Sequence, residues 1–183
     1  MNITLTGPRS VGKSTIGKLL AKELKLKYIS SDEIGNRAFK KQGGLDKAIK
    51  ANIVKQLMKK KGYSLLVKAY KKEKNYVFDL SGGSFAYNYF PEATSELRNI
   101  AKSKSKIIGL LPSRCKIYSI FFLYNREVRR EHFKEAHKMK LFWKTFKRYF
   151  RFPPVFSKWA DIVVYTRGKT PEQIVNEIKE KLK

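Results

Sequence analysis

Acidic residues and cysteine are both scarce in this chain. Only 15 Asp+Glu stand against 41 Lys+Arg, which leaves a formal charge of +26 over 183 residues. So one-sided a balance creates a positive field that draws in anions of any kind, so nucleotides, nucleic acid and membrane surfaces are all candidate partners. Composition does not choose among them, because a lysine-rich proteome decorates every surface in the same way. The single cysteine, Cys115, excludes an intramolecular disulfide and fits a reducing compartment. No apolar run approaches the ~18 residues of a membrane-spanning helix. MNITLTG reads as a short strand, with no basic segment leading into an apolar one. A soluble, cytoplasmic protein is therefore expected. His132 and His137 stand five apart, off a common helical face, and no Cys/His/acid set has the spacing of a transition-metal site. Repeats and Gly/Ser linkers are missing as well. With 42% hydrophobic residues, the chain can build one sizeable core, and a single monomeric domain over 1–183 is expected.

Short apolar runs alternate with helical patterns, the sequence form of an α/β fold in which helices cover both faces of a parallel sheet. Five strands are predicted, over 2–6, 27–29, 76–80, 106–111 and 161–166. The first helix follows the first strand at once and places Ile16, Leu19, Leu20 and Leu24 on one face. The last opens on Thr170, Pro171 and Gln173, an N-cap, an N1 proline and a capping-box partner. Two stretches, about 32–74 and 112–154, exceed simple crossovers and are rich in lysine and aromatics. Excursions of that length in a compact domain suggest acceptor-binding and lid segments.

The central motif is GPRSVGKST, where Gly7, Gly12, Lys13 and Ser14 match G-x-x-x-x-G-K-[ST] between a strand and a helix. Glycines let the loop wrap closely, so that backbone N–H groups point at a phosphate while the following helix N-terminus adds positive charge. Lys13 suits the β- and γ-phosphates, the Ser14 hydroxyl suits Mg²⁺, and Thr15 suits the α-phosphate. With Ser10 in the loop, these six residues are the candidate ATP site. A P-loop specifies nucleotide binding and not the reaction. The lack of an N-K-x-D motif argues against a GTPase, and the short length against a motor or helicase.

After the second strand, KYISSDEIGNR puts Asp32 beyond the carboxyl end of the strand, where open α/β sheets bind ligands. A carboxylate there can accept the proton of an attacking hydroxyl; alternatively Ser30, Ser31 or Asp32 caps the next helix. The third strand runs into VFDLSGGSFAY, where Gly82 and Gly83 permit close approach to the backbone. Taken together, GPRSVGKSTIGKLLAKEL, YISSDE, VFDLSGGS and PPVFSKWADIVVYTRGKTPEQIVNEI resemble the shikimate kinase family in order and spacing, from end to end. The resemblance implies a three-layer P-loop fold with sheet order 2-3-1-4-5, a mobile lid, Asp32 as acceptor ligand and base, and Gly82 and Gly83 around the acceptor. Mg²⁺ carried by ATP is the metal expected, and a small hydroxylated metabolite, shikimate or a related compound, the acceptor.

Departures from the pattern are specific. The family's F-R-x-x-E element has no match in KKKGYSLLVKAYKKEK, where Lys68 is the nearest substitute. Phe152 falls where the resemblance implies an acceptor-binding arginine, and Arg151 lies one position away. Ser30 falls where it implies an aspartate that reaches Mg²⁺ through water. Asp79, after Val77 and Phe78, has the form of a Walker B acid and is expected to supply the missing carboxylate, unless it caps the turn at Ser81 to Gly83. In the lid segment, Arg129 or Arg130 is expected to act on the phosphates. The same segment mixes Arg126 and Lys138 with Phe142, Trp143, Phe146 and Tyr149, which leaves an alternative of another class, a nucleic-acid-binding ATPase or polynucleotide kinase.

Overall fold

Burial on both sides decides where the strands sit. In the computed structural model, which describes residues 1–44, 47–48, 51, 53–129 and 138–183, all four residues of β3 (Tyr76–Asp79) are buried. So are all but the first residues of β1 (Asn2–Thr6) and β4 (Lys106–Leu111), while the edge strands β2 (Lys27–Ser30) and β5 (Ile162–Tyr165) are partly exposed. The strands form one all-parallel sheet of order 2-3-1-4-5. β5 is shorter than the sequence pattern suggests, although Asp161 and Thr166 still extend its ladder, donating their amides to Ile107 and Leu111.

Side-chain alternation along β1 assigns the two faces. Thr4 shares a 2.8 Å hydrogen bond with the Tyr70 hydroxyl, and the Tyr70 ring stacks at 4.5 Å on Phe78, the register partner of Thr4. Leu5 points the other way, beneath Gly17 of α1 (Lys13–Glu23). On that side α1 packs against the C-terminal helix, and Glu23 accepts a 2.6 Å ion pair from Lys179.

The first long excursion holds α2 (Ser31–Ala38), a turn over Val54–Leu57 and a π-helical turn over Met58–Gly62 that runs into α3 (Tyr63–Lys72). Its buried face, Tyr63, Leu66, Val67 and Tyr70, belongs to the core, so α3 is a crossover helix. After β3 come α4 (Gly82–Ala86) and α5 (Pro91–Lys104), which packs along α3. The second excursion forms α6 (Lys116–Val128) and α7 (Lys138–Tyr149), followed by α8 (Phe152–Trp159) and α9 (Pro171–Leu182). α9 carries the capping box foreseen: Thr170 Oγ1 accepts from the Gln173 amide at 3.3 Å while Gln173 Oε1 accepts from the Thr170 amide at 2.9 Å.

The P-loop is seated by glycines chosen for space. A Cβ at Gly7 would lie 2.6 Å from the Leu110 carbonyl oxygen. At Gly82 it would collide with the Gly7 carbonyl and lie 2.8 Å from Phe152 Cε1. The chain itself thus uses the close approach that Gly82 permits, and Gly82 fixes the start of α4 against the P-loop. Gly82→Ala is expected to cost about 2 kcal/mol by overpacking, a fall in melting temperature of about 4–8 °C for a domain of this size. Thermal unfolding of the purified variant checks this, and an unchanged midpoint would contradict it.

Candidate active site

The loop after β1 is shaped to face an anion. Gly12 caps α1 at φ 105° with no side-chain cap, and no acid stands in the first turn, so the opening N–H groups of the helix keep their partial positive charge. Ser10 also takes a left-handed conformation, φ 68°, and its buried Oγ has no hydrogen-bond partner. Lys13 Nζ folds over the loop toward the Gly7 and Pro8 carbonyls, at 3.2 and 3.3 Å. Gly12, Lys13, Ser14 and Thr15 line a cavity of about 600 Å³. A larger, shallow groove of about 870 Å³ between α3 and α5 contains none of the motif residues.

Asp79 ends β3 at 5% exposure and accepts two hydrogen bonds on one oxygen: Ser14 Oγ donates to Oδ2 at 2.7 Å, and the Tyr28 hydroxyl donates to it at 2.9 Å. Burial above all, and then the charge of Asp79, raise the Tyr28 pKa well above that of an ordinary phenol, so the hydroxyl stays a donor. Hydroxyl and carboxylate oxygens beside a phosphate cradle fit Mg²⁺, which prefers hard donors. No cluster of three or more His, Cys, Asp or Glu gathers among the described residues, so a metal held here would lean on the phosphates it accompanies.

Residues of α2, α4 and the start of α8 line the same cavity. The cap of α2 is Ser30, whose Oγ accepts from the Glu33 amide at 3.4 Å, so capping is not the role of Asp32. Asp32 lines the cavity from the first turn. Ser31 Oγ accepts from the Ser81 amide at 2.8 Å and ties the start of α2 to the strand end before Gly82 and Gly83, both of which line the cavity. Tyr87 forms part of the far wall, its hydroxyl pushed up to about 12 by burial against the opposing charges of Arg148 and Arg151.

The cations divide in a way the sequence did not reveal. Arg126 of α6 donates from Nη1 to the Ser10 carbonyl at 3.1 Å and lies 4.6 Å over the Phe122 ring, so it is the arginine resting on the P-loop. Arg129 is exposed at the C-cap of α6, and Arg130 lies outside the described residues, as do His132 and His137. Arg151 stacks over Tyr87 and Tyr89 at 5.1 and 5.8 Å and does not line the cavity, whereas Arg148, one helical turn earlier, does. Phe152 fills the place between them at 1% exposure, and Lys68 is exposed away from the site. The aromatic residues of the second excursion pack largely on one another: Phe142 lies 5.4 Å from Tyr124 and 5.5 Å from Phe121, and Tyr149 is buried.

Comparison with known proteins agrees with this geometry. The shikimate kinase of Francisella tularensis subsp. novicida is 28% identical over 182 residues, which is 97% of this chain and 92% of that protein. Among solved structures, shikimate kinase from Acinetobacter baumannii in complex with shikimate superposes with a TM-score of 0.74 at 17% identity, covering 99% of this chain and 92% of that one. Shikimate kinase from Aquifex aeolicus does so with a TM-score of 0.67 at 26% identity, covering 100% and 96%. The sequence profile of the shikimate kinase family matches residues 9–183, and the chain belongs to that family of ATP-dependent phosphotransferases.

Proposed function

We propose that the protein transfers the γ-phosphoryl group of ATP to a hydroxyl of shikimate or a related small metabolite. The observation that supports this reading is the shared cavity, which Asp32 lines together with Gly12, Lys13 and Ser14. A hydroxyl bound near Asp32 loses its proton to that carboxylate as its oxygen attacks the γ-phosphorus in line, and ADP leaves. Lys13 holds the β- and γ-phosphates, and the backbone N–H groups at the opening of α1 take the β-phosphate. Mg²⁺, entering with ATP, supplies charge neutralisation of the phosphates. Ser14 would hold it directly and Asp79 through water. Arg126, resting on the loop, and Arg129 and Arg130 in the lid segment are the cations for the charge that develops during transfer.

Arg148 is the side chain suited to an anionic group on the acceptor, because it lines the cavity while Arg151 is held outside by Tyr87 and Tyr89. A charge-assisted hydrogen bond is worth about 1.5–3 kcal/mol. Arg148→Ala should therefore raise the KM for the acceptor about tenfold or more, with Arg151→Ala close to wild type. The reverse ranking in steady-state kinetics would reassign the role.

The deciding experiment follows ADP release with ATP and Mg²⁺ against shikimate, small sugars, sugar acids, nucleosides and a 5′-hydroxyl oligonucleotide. Transfer to shikimate or a related hydroxylated acid is expected, and transfer to the oligonucleotide alone would overturn the reading. With the active acceptor, Asp32→Asn should lower kcat by about 10²-fold or more at little cost in ATP affinity. A kcat near wild type in that variant would remove Asp32 from the chemistry.

A further inference from the structure

Asp79 is a buried carboxylate held by neutral donors. The hydrogen bonds it takes within the described residues come from two hydroxyls, Ser14 Oγ and Tyr28 OH, both on Oδ2. Asp79 is 5% exposed, and the two hydroxyls satisfy one of its oxygens without placing a cation beside it. Because both bonds fall on Oδ2, Oδ1 is the oxygen left to accept from water.

The route by which Tyr28 arrives is set by strand geometry. Ser30 lies directly across from Asp79 in the β2–β3 register, and Tyr28, two residues earlier, shares its side of β2 and lies across from Val77. Only a long side chain leaning along the strand spans that offset. The ring is seated against α1 over a glycine: a Cβ at Gly17 would stand 3.0 Å from Tyr28 Cε2, a tight contact, and Lys18 Nζ lies 5.8 Å over the ring. Ring and hydroxyl are therefore both fixed, by different neighbours.

We propose that Tyr28 is a positioning residue of the magnesium site, holding the Asp79 carboxylate in the rotamer that receives the Ser14 proton while Ser14 Oγ turns its lone pair toward the metal. A carboxylate anchored only by Ser14 would rotate with it. Anchored by Tyr28 as well, it keeps Oδ1 directed to metal-bound water. Partners that orient a ligand in this way typically contribute about 10- to 100-fold to metal affinity.

The inference rests on Ser14 and Asp79 serving the metal, and the test separates the two. Affinity for a fluorescent ATP analogue is measured in EDTA and in MgCl₂, and the ratio gives the Mg²⁺-dependent gain. In Tyr28→Phe, which keeps the ring on Gly17, that gain should fall about tenfold, while the affinity in EDTA and the melting temperature stay at wild-type values. Asp79→Asn should reduce the same gain, and adding Tyr28→Phe to it should do nothing more, because the hydroxyl acts through the carboxylate. A reduced gain in Asp79→Asn with an unchanged gain in Tyr28→Phe overturns the role of Tyr28 alone. An unchanged gain in Asp79→Asn overturns the metal reading and the proposal with it. Equal loss of affinity with and without Mg²⁺ in Tyr28→Phe also overturns it, since packing would then be the only role of the tyrosine.

Discussion

The ends of β1, β3 and β4 crowd together around Gly7, and the geometry of the site depends on there being no side chains at that crossing. The Leu110 carbonyl presses on Gly7 from β4, the Gly7 carbonyl presses on Gly82 after β3, and Leu80 donates its amide to Leu5 at 2.9 Å. Across the same strand ends α8 lays two rings, Phe152 on Gly82 and Phe156 on Gly109, four residues apart on one helical face and 5.7 Å from each other. The volume removed at Gly82 and Gly109 is thus refilled by two phenylalanines of one helix. That packing fixes where α8 begins. It also places the preceding turn so that Arg148 enters the cavity and Arg151 is turned out onto Tyr87 and Tyr89. A contact between glycines and rings, with no chemistry of its own, thus bears on which cation lines the cavity.

Electrostatics acts on a shorter scale. With a net charge of +26 the whole molecule attracts a nucleotide, but screening over about 8 Å at physiological ionic strength leaves only nearby cations to act on bound phosphates. Lys13 is on the loop, Arg126 is bonded to it, and Arg9 and Arg148 line the cavity. Against them Asp32 and Asp79 share that cavity. Their surroundings differ: Asp32 is exposed on a helix, and Asp79 is buried and accepts hydrogen bonds from two hydroxyls.

What the sequence disclosed was what is local. The P-loop and the capping box at Thr170 depend on residues within a few positions of one another, and the structure has both, while the sheet order came only with the family resemblance along the whole chain. The cations were harder because a helix returns to the same face every three to four residues. Arg126 rests on the loop and Arg148 lines the cavity, about one helical turn before Arg129 and Arg151 respectively, and helical phase alone does not reveal at which turn a helix passes the loop. Tyr28 was invisible for another reason. In a strand a tyrosine reads as a good β-former, and only the register against β3 shows that its hydroxyl comes level with the end of the neighbouring strand.

The same register explains how an acid can move between strands without disturbing the cradle. Ser30 occupies the position where the family resemblance implies an aspartate, and it faces Asp79 as a direct partner across the β2–β3 ladder. Side chains opposite one another in a sheet stand about 5 Å apart, so a carboxylate on either strand reaches nearly the same point beyond the strand ends. Relocating the acid to β3 has a local consequence. Ser30, relieved of charge, becomes the N-cap of α2 and bonds the Glu33 amide, which fixes the helix that carries Asp32. Asp79 is buried, at 5% exposure, and takes its donors from hydroxyls. Ser14 is one, already part of the loop. The second must come from β2, because β1 on the other side ends in the loop itself, and from two residues back along the strand only an aromatic hydroxyl has the length. The carboxylate on β3, the serine on β2 and the tyrosine before it are therefore one linked set of residues, and a change at any of them alters what the other two must do.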